Sequence, residues 1–471
     1  MSADEGQRFH AEVARACEEA HRAASFMRSS TPSFRADLLS ALANRVADRA
    51  GELVAVVADE TQLSPGRVES EIGRTTGQLR LLGAHTWDAS AFETDPPVVS
   101  NGVTQPELQL GSIPLGPVAV FPASNFPMAF GVLGGDTASA LAAGCPVVIK
   151  PHPAQPATSA LLADIVHDVV AAVGCPAGVA AVLEDSSVSA GLALVADSYI
   201  KAAGFTGSHH AGRSLFDLAA ARVEPIPVYA EMGSVNPVLV TRAATAERLG
   251  SIAEELAASI EGSAGQFCTK PGVVVVSSAH AEQFTAALVG AMAGASQPML
   301  TSQMAENFEE TAREAAELDA VIVELPPQRD GRCVTPAVLR TSLDQLQHAV
   351  VRAENFGPSA VLIEADQADW PQVLDMLGGQ LTITIHGQPS DIETLRPTMF
   401  DVAQYAGRVI WNGVPTGVRV SPAQQHGGPY PATTASWSTS VGVHAIDRWL
   451  RPVAWQSLPG GLLSSADPAA S

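Results

Sequence analysis

The chain has 471 residues, 46% of them hydrophobic, enough to bury cores in more than one domain. Its formal net charge of -22, from 49 acidic against 27 basic residues, argues against nucleic acid or an anionic membrane as the main partner. A small anionic ligand stays compatible, because a few placed groups hold one.

The N-terminus, MSADEGQRFHAEVARACEEAHRAA, is polar and helical in pattern, unlike a secretory signal. Apolar residues then recur at spacings of three and four (Leu38, Leu39, Leu42, Val46, then Leu53, Val54, Val57), so a helical block is expected to about Glu93. Ser64-Pro65-Gly66 punctuates it. The block shows no evident chemistry. Val98 to Pro114 alternates apolar and polar residues around Asn101-Gly102, a hairpin signal.

From Val118 onward strands and helices alternate. Strands are expected at Val118–Phe121, Val147–Ile149, Val179–Leu183 and Tyr199–Phe205, with helices over Ser139–Ala143, Thr158–Val173 and Ala190–Ala196. A second series has helices at Ala246–Glu261, His280–Ala293 and Met304–Leu318. Its strands are Val273–Val276, Ala320–Glu324, Ala360–Glu364, Leu381–Ile385 and Arg408–Trp411. Such alternation predicts an α/β fold of two units, each a largely parallel sheet between helices, with ligands at the carboxyl ends of the strands. The Ser/Ala-rich C-terminal end reads as an arm that frays. The uncharged run Gly116 to Gly135 contains Asn125 and three prolines, so a membrane helix is not expected. Five cysteines stand singly, with no CxxC and no zinc spacing, which fits reduced thiols in a cytoplasm.

Several stretches carry candidate chemistry. Cys268, in GSAGQFCTKPG, lies between a glycine-rich approach and a valine strand. Glycines permit close ligand approach, and Lys270 two residues on is placed to favour a thiolate. Buried packing is the competing reading of a free cysteine. Lys150, one of three lysines, follows a strand directly and precedes Pro151-His152-Pro153. Gly207-Ser208 and Gly212 lie between a strand and a helix, where bare backbone N–H groups suit a pyrophosphate or simply cap the helix. Asn125 follows the strand Val118–Phe121, placed either to donate to an oxyanion or to make a turn. Glu231 stands alone in an apolar segment, where burial would raise its pKa and suit a general base. His209 and His210 have no third ligand at metal spacing, so no metal is expected.

The order of these motifs narrows the reading. FPASNFP, VIKPHP, GFTGS, AEMGSVNP, GQFCTKPG, ENFGPS and HGGPYPAT follow one another from about Gly111 to Pro452. In this the chain resembles the aldehyde dehydrogenase superfamily. EPIPVYAEMGSVNPV, GVPTGVRVSPAQQHGGPYPATT and TSVGVHAIDRWLRPVAWQSLP are similar to the bacterial 2,5-dioxopentanoate (α-ketoglutarate semialdehyde) dehydrogenase group and its NADP-dependent fatty aldehyde dehydrogenase relative.

The resemblance implies a doubly wound cofactor domain (1–97 and 115–230), an α/β catalytic domain (231–444) and a small bridging, oligomerising element (98–114 and 445–471). Cys268 would attack the aldehyde carbon, Asn125 with the Cys268 N–H would hold the oxyanion, and Glu231 would activate water to hydrolyse the thioester. Lys270 then loses its standing as an activator. Lys150 and His152 would lie by the adenosine ribose and Gly207, Ser208 and Gly212 by the pyrophosphate. Glu354 and Phe356 would meet the nicotinamide ribose and ring. Pro153 stands where NAD-specific members commonly carry a ribose-binding glutamate, so NADP is the expected cofactor, with NAD tolerated. His209 and His210 stand where relatives often have arginine, a stronger phosphate partner. Arg419 replaces a residue that is usually acidic in the group, and would either face the substrate funnel or make a surface contact. The expected reaction is hydrolytic, non-acylating oxidation of 2,5-dioxopentanoate by a soluble homodimer or homotetramer. A medium or long aliphatic aldehyde is the runner-up substrate, and a cysteine hydrolase or a non-catalytic protein on the same fold the alternative of another class.

Overall fold

A computed structural model describes residues 3–459 and 462; the Ser/Ala-rich end expected to fray lies almost wholly outside them. The N-terminal block forms four helices, Ala3–Ser29, Pro32–Asp48, Ala50–Thr61 and Pro65–Gly83. Two begin on proline after a hydroxyl cap: Thr31 accepts from the Phe34 amide and Ser64 from the Arg67 amide. Both motifs satisfy amides that a helix start leaves unpaired. Leu38, Leu39, Leu42, Val46, Leu53 and Val57 bury the expected stripe in a core shared with the helices Pro65–Gly83 and Pro156–Ala172.

That sheet has five strands, all parallel: Val118–Phe121, Val147–Ile149, Ala180–Val182, Ala202–Thr206 and Val228–Glu231. Across the sheet they run third, second, first, fourth, fifth. The order reverses between Val118–Phe121 and Ala202–Thr206, so the loops after Phe121 and Thr206 open a crevice at the carboxyl end. Helices Gly135–Ala142 and Pro156–Ala172 cover one face, while Ala3–Ser29, Val188–Ala196 and His209–Ala220 cover the other.

The second sheet has seven strands, from Val238–Val240 to Ala406–Trp411. All pair in parallel except the edge strand Ile322–Leu325, which is antiparallel to Ala337–Ser342. Two of these strands escape the sequence. Val238–Val240 is only three residues long and follows a proline. Ala337–Ser342 is broken by Arg340, a charge accommodated because Glu324 and Glu364 on its neighbours accept from it at 2.7 and 2.6 Å.

Asn101 and Gly102 both have positive φ, 51° and 77°, as a two-residue hairpin turn between Val98–Ser100 and Val103–Gln105 requires. The following strand, Leu108–Pro114, pairs antiparallel with Leu450–Gln456. The C-terminal segment is also clamped by a buried ion pair, Arg448 to Asp136 at 2.7 Å, and by Trp449, whose indole donates to Ser139 at 2.8 Å. No helix among the described residues is long and apolar enough to cross a membrane.

Candidate active site

Three segments far apart in sequence meet at Cys268. The first is the cysteine loop itself. Asn236, with φ of 48°, donates through Nδ2 to the carbonyls of Cys268 and Lys270 at 2.8 and 3.0 Å and so fixes the loop. Gly265 (φ 66°) lies so close to Gly357 that a Cβ there would stand 2.2 Å from its carbonyl. Only glycine permits that contact, which seats the Glu354–Phe356 segment against the cysteine loop. Asn125 lies alongside, its Nδ2 donating to the Gln266 carbonyl at 2.9 Å. One amide hydrogen is thereby spent and one left.

The second segment is the end of the strand Val228–Glu231. Glu231 is 4% exposed and accepts from Ser440 Oγ at 2.7 Å. The third carries His426, from HGGPYP, a residue the sequence motifs contain but do not single out. Its Nε2 lies 3.0 Å from Glu231 Oε1 and 3.7 Å from Cys268 Sγ. The liganding atoms of Glu231, Cys268 and His426 all lie within 4.8 Å of one another. No sequence spacing foretells this trio, since His426 stands 158 positions from Cys268.

Two expectations about charge are corrected. Cys268 was expected to favour its thiolate, but its pKa is raised well above the ordinary thiol value. Burial is the largest cause, the Glu231 and Glu354 carboxylates add to it, and Arg74 opposes. Lys270 does not help the thiolate, because its ammonium is buried and donates to the Ser359 carbonyl at 2.7 Å. Glu231 was expected to be raised by burial. Burial does push it up, but the nearby His426 charge and the bonds from His426 and Ser440 outweigh that, and the net shift is downward. The thiol therefore needs a proton acceptor, and His426 Nε2 is the atom in place. His426 Nε2 is within reach of both Cys268 Sγ and Glu231 Oε1.

The N-terminal helices, in which the sequence shows no evident chemistry, supply two side chains to the space beside Cys268. Arg67 and Arg74, from Pro65–Gly83, line a cavity of about 160 Å3 together with Phe126, Phe130, Cys268 and His426. Arg419 is exposed and is not part of that lining.

The aldehyde dehydrogenase family pattern matches residues 6–375. The chain belongs to the aldehyde dehydrogenase family. An α-ketoglutaric semialdehyde dehydrogenase of Azospirillum brasilense is 40% identical over 464 residues, covering 96% of this chain and 88% of that protein. One from Acinetobacter baylyi is 37% identical over 473 residues, with the same shares covered. Among solved structures, this aldehyde dehydrogenase superposes on the glyceraldehyde-3-phosphate dehydrogenase of Methanocaldococcus jannaschii complexed with NADP. The TM-score is 0.80 at 18% identity, covering 95% of this chain and 94% of that one. Escherichia coli lactaldehyde dehydrogenase gives 0.80 at 21% identity, with 95% and 91% covered. At such identities these two establish the fold.

The family oxidises aldehydes with NAD(P), and the residues of this aldehyde dehydrogenase fit a dinucleotide. Ser208 caps the helix His209–Ala220, leaving its N-terminal end at the crevice, and a Cβ at Gly212 would lie 2.8 Å from Met232. Lys150 has its pKa lowered by burial, with Asp185 opposing. His152 Nδ1 accepts from the Ala154 amide, so it shapes the turn after Lys150, while Pro153 is exposed. His209 is exposed and turned to Tyr430, with Nε2 3.0 Å from the phenol oxygen. Glu354, pushed up to about 7 by burial against the pull of Lys270, packs its carboxylate where a side chain at Gly233 would fall. Phe356 is partly buried in the same segment.

Proposed function

We propose that this aldehyde dehydrogenase oxidises 2,5-dioxopentanoate to 2-oxoglutarate, with NADP preferred over NAD. The contact of His426 Nε2 with both Cys268 and Glu231 carries the chemical reading. The names of the two relatives at 40% and 37% identity support the substrate, and a cavity of about 160 Å3 suits a compact aldehyde better than a long chain.

The Sγ proton passes to His426 Nε2, and the sulfur adds to the aldehyde carbon. Asn125 Nδ2, through its free hydrogen, and the Cys268 N–H donate to the oxyanion. NADP or NAD, when bound, would supply the hydride acceptor needed for the adduct to become a thioester. Lys150, His152, Gly207, Ser208 and Gly212 would hold its adenosine and pyrophosphate end. Glu354 and Phe356 would hold its nicotinamide end. Glu231 then takes a proton from water as that water attacks the thioester, and Cys268 leaves as the acid is formed. A cavity of about 20 Å3 bounded by Glu231, His426 and Ser440 has room for one water.

The exposed Val98, Val99 and Val103 of the hairpin support a homodimer or dimer of dimers built on the bridging segments, in the cytoplasm. Absorbance at 340 nm tests the reaction, because aldehyde-dependent reduction of NAD or NADP is expected and its absence with both overturns the reading. The cysteine–histidine–carboxylate set would also cleave activated esters without a cofactor, so esterase activity alone does not decide it.

A further inference from the structure

The helix Pro65–Gly83 presents Arg67, Glu71 and Arg74 at spacings of four and three, on one face. Glu71 is 3% exposed and fully engaged. It accepts from Arg67 Nε at 3.0 Å and from the amides of Met128 and Ala129 at 3.2 and 3.4 Å. Arg67 also donates to Ser263. Its Nη2 is buried without a hydrogen bond but pairs with Glu71 at 2.7 Å, whereas Arg74 has no carboxylate partner among the described residues. The Nε and Nη2 of Arg74 are buried and make no hydrogen bond among the described residues.

A guanidinium left without protein acceptors is suited to a carboxylate, which it receives in charge-assisted hydrogen bonds. The guanidinium is held in place over Phe126 and Phe130, at 5.6 and 5.3 Å from the ring centroids. It lines the same cavity as Cys268 and His426. Burial lowers its pKa, and Arg67 adds to this, while Cys268, Glu71 and Glu231 oppose. Glu231 is committed to His426 and Ser440, so neither carboxylate near Arg74 is free to pair with it. A buried cation with two open donors is costly unless something arrives to satisfy it. In a protein of net charge -22, an anion gains nothing from the overall field, so any anion selectivity must be built locally.

We propose that Arg74 is the seat of the substrate's distal carboxylate. Its guanidinium donates to the carboxylate of a short acid that bears an aldehyde at its other end, and this places the aldehyde carbon at Cys268 Sγ. The assignment rests on the acidic-aldehyde reading above. It makes Arg74 the residue that separates acidic from aliphatic aldehydes.

The test compares kcat/KM for 2,5-dioxopentanoate and for hexanal in the wild type, Arg74→Gln and Arg74→Lys. The wild type should favour the acid. In Arg74→Gln the acid-to-hexanal ratio should fall at least ~30-fold, carried mainly by KM for the acid, as expected when a buried charge pair loses one partner. Arg74→Lys should recover part of the ratio. If Arg74→Gln keeps the wild-type ratio, or slows both aldehydes alike, the subsite is wrong while the substrate reading survives. A wild type with no preference overturns the substrate reading and the subsite with it. A second measurement needs no variant: glutarate should protect wild-type Cys268 from alkylation by iodoacetamide, and pentanol at the same concentration should not. Equal protection by the two, or none by glutarate, overturns the subsite.

Discussion

His426 Nε2 stands 3.7 Å from Cys268 Sγ and is the ring nitrogen that also faces Glu231. Burial and two carboxylates raise the pKa of the thiol, and the mechanism proposed above gives its proton to this histidine. His426→Asn should slow alkylation of Cys268 by iodoacetamide at pH 7 by ~100-fold or more, with the rate recovering only in more alkaline solution. An unchanged alkylation profile would show that the proton goes elsewhere.

The proposed mechanism uses Glu231 only in the second half of the reaction, so its removal should separate the two halves. In Glu231→Gln, steady turnover should drop by ~100- to 10,000-fold. A first burst of reduced cofactor, close to one equivalent per site, should remain. Mass spectrometry should then find an acyl group on Cys268. Loss of the burst together with turnover would place Glu231 before the thioester instead.

Glu354 supplies a pH dependence. As a carboxylate it accepts from hydroxyl groups; protonated, it loses that capacity. Its pKa is pushed up to about 7, so the acceptor is present above that pH and is lost as the pH falls through it. Affinity for NADH should therefore weaken from pH 8 to pH 6, measured by fluorescence titration. In Glu354→Gln the affinity should be weak and flat across that range. NADH is the suitable probe because it lacks a 2′-phosphate that would titrate as well.

Pro153 is exposed, three positions after Lys150, at the carboxyl end of the strand Val147–Ile149. Pro153→Glu would set an anion beside a 2′-phosphate. The ratio of kcat/KM for NADP over NAD should fall at least ~10-fold, because like charges brought together cost several kcal/mol. A ratio that does not move would show that the 2′-phosphate binds away from this turn.

Much of the scaffold was legible because buried parallel strands are short apolar runs between glycine and proline. Val118–Phe121 and Val273–Val276 fall where the sequence puts them. Asn125, Glu231 and Cys268 stand out because each interrupts or follows such a run. His426 does not, since a histidine between polar and glycine residues carries no periodic signal and gains its meaning only when folding brings it to Cys268. Arg74 is hidden differently. Its helix already has a satisfactory apolar face in Val68, Ile72, Leu79 and Leu82, and charged residues on the other side look like a solvated surface. The repeat of Arg67, Glu71, Arg74 and Gln78 along one ridge was the available signal. The pKa directions of Cys268 and Glu231 were unreadable for the same reason: each is set by groups that only the fold brings near.

The helix Pro65–Gly83 reaches the thiol from a part of the chain that precedes both sheets. Ancestry and chemistry therefore divide unevenly along this polypeptide. If two relatives recombined at a junction after residue 97, the offspring would keep the nucleophile of one parent and take the pocket's arginines from the other. Such chimeras would inherit reactivity and substrate choice separately, and selection could exchange the second without disturbing the first.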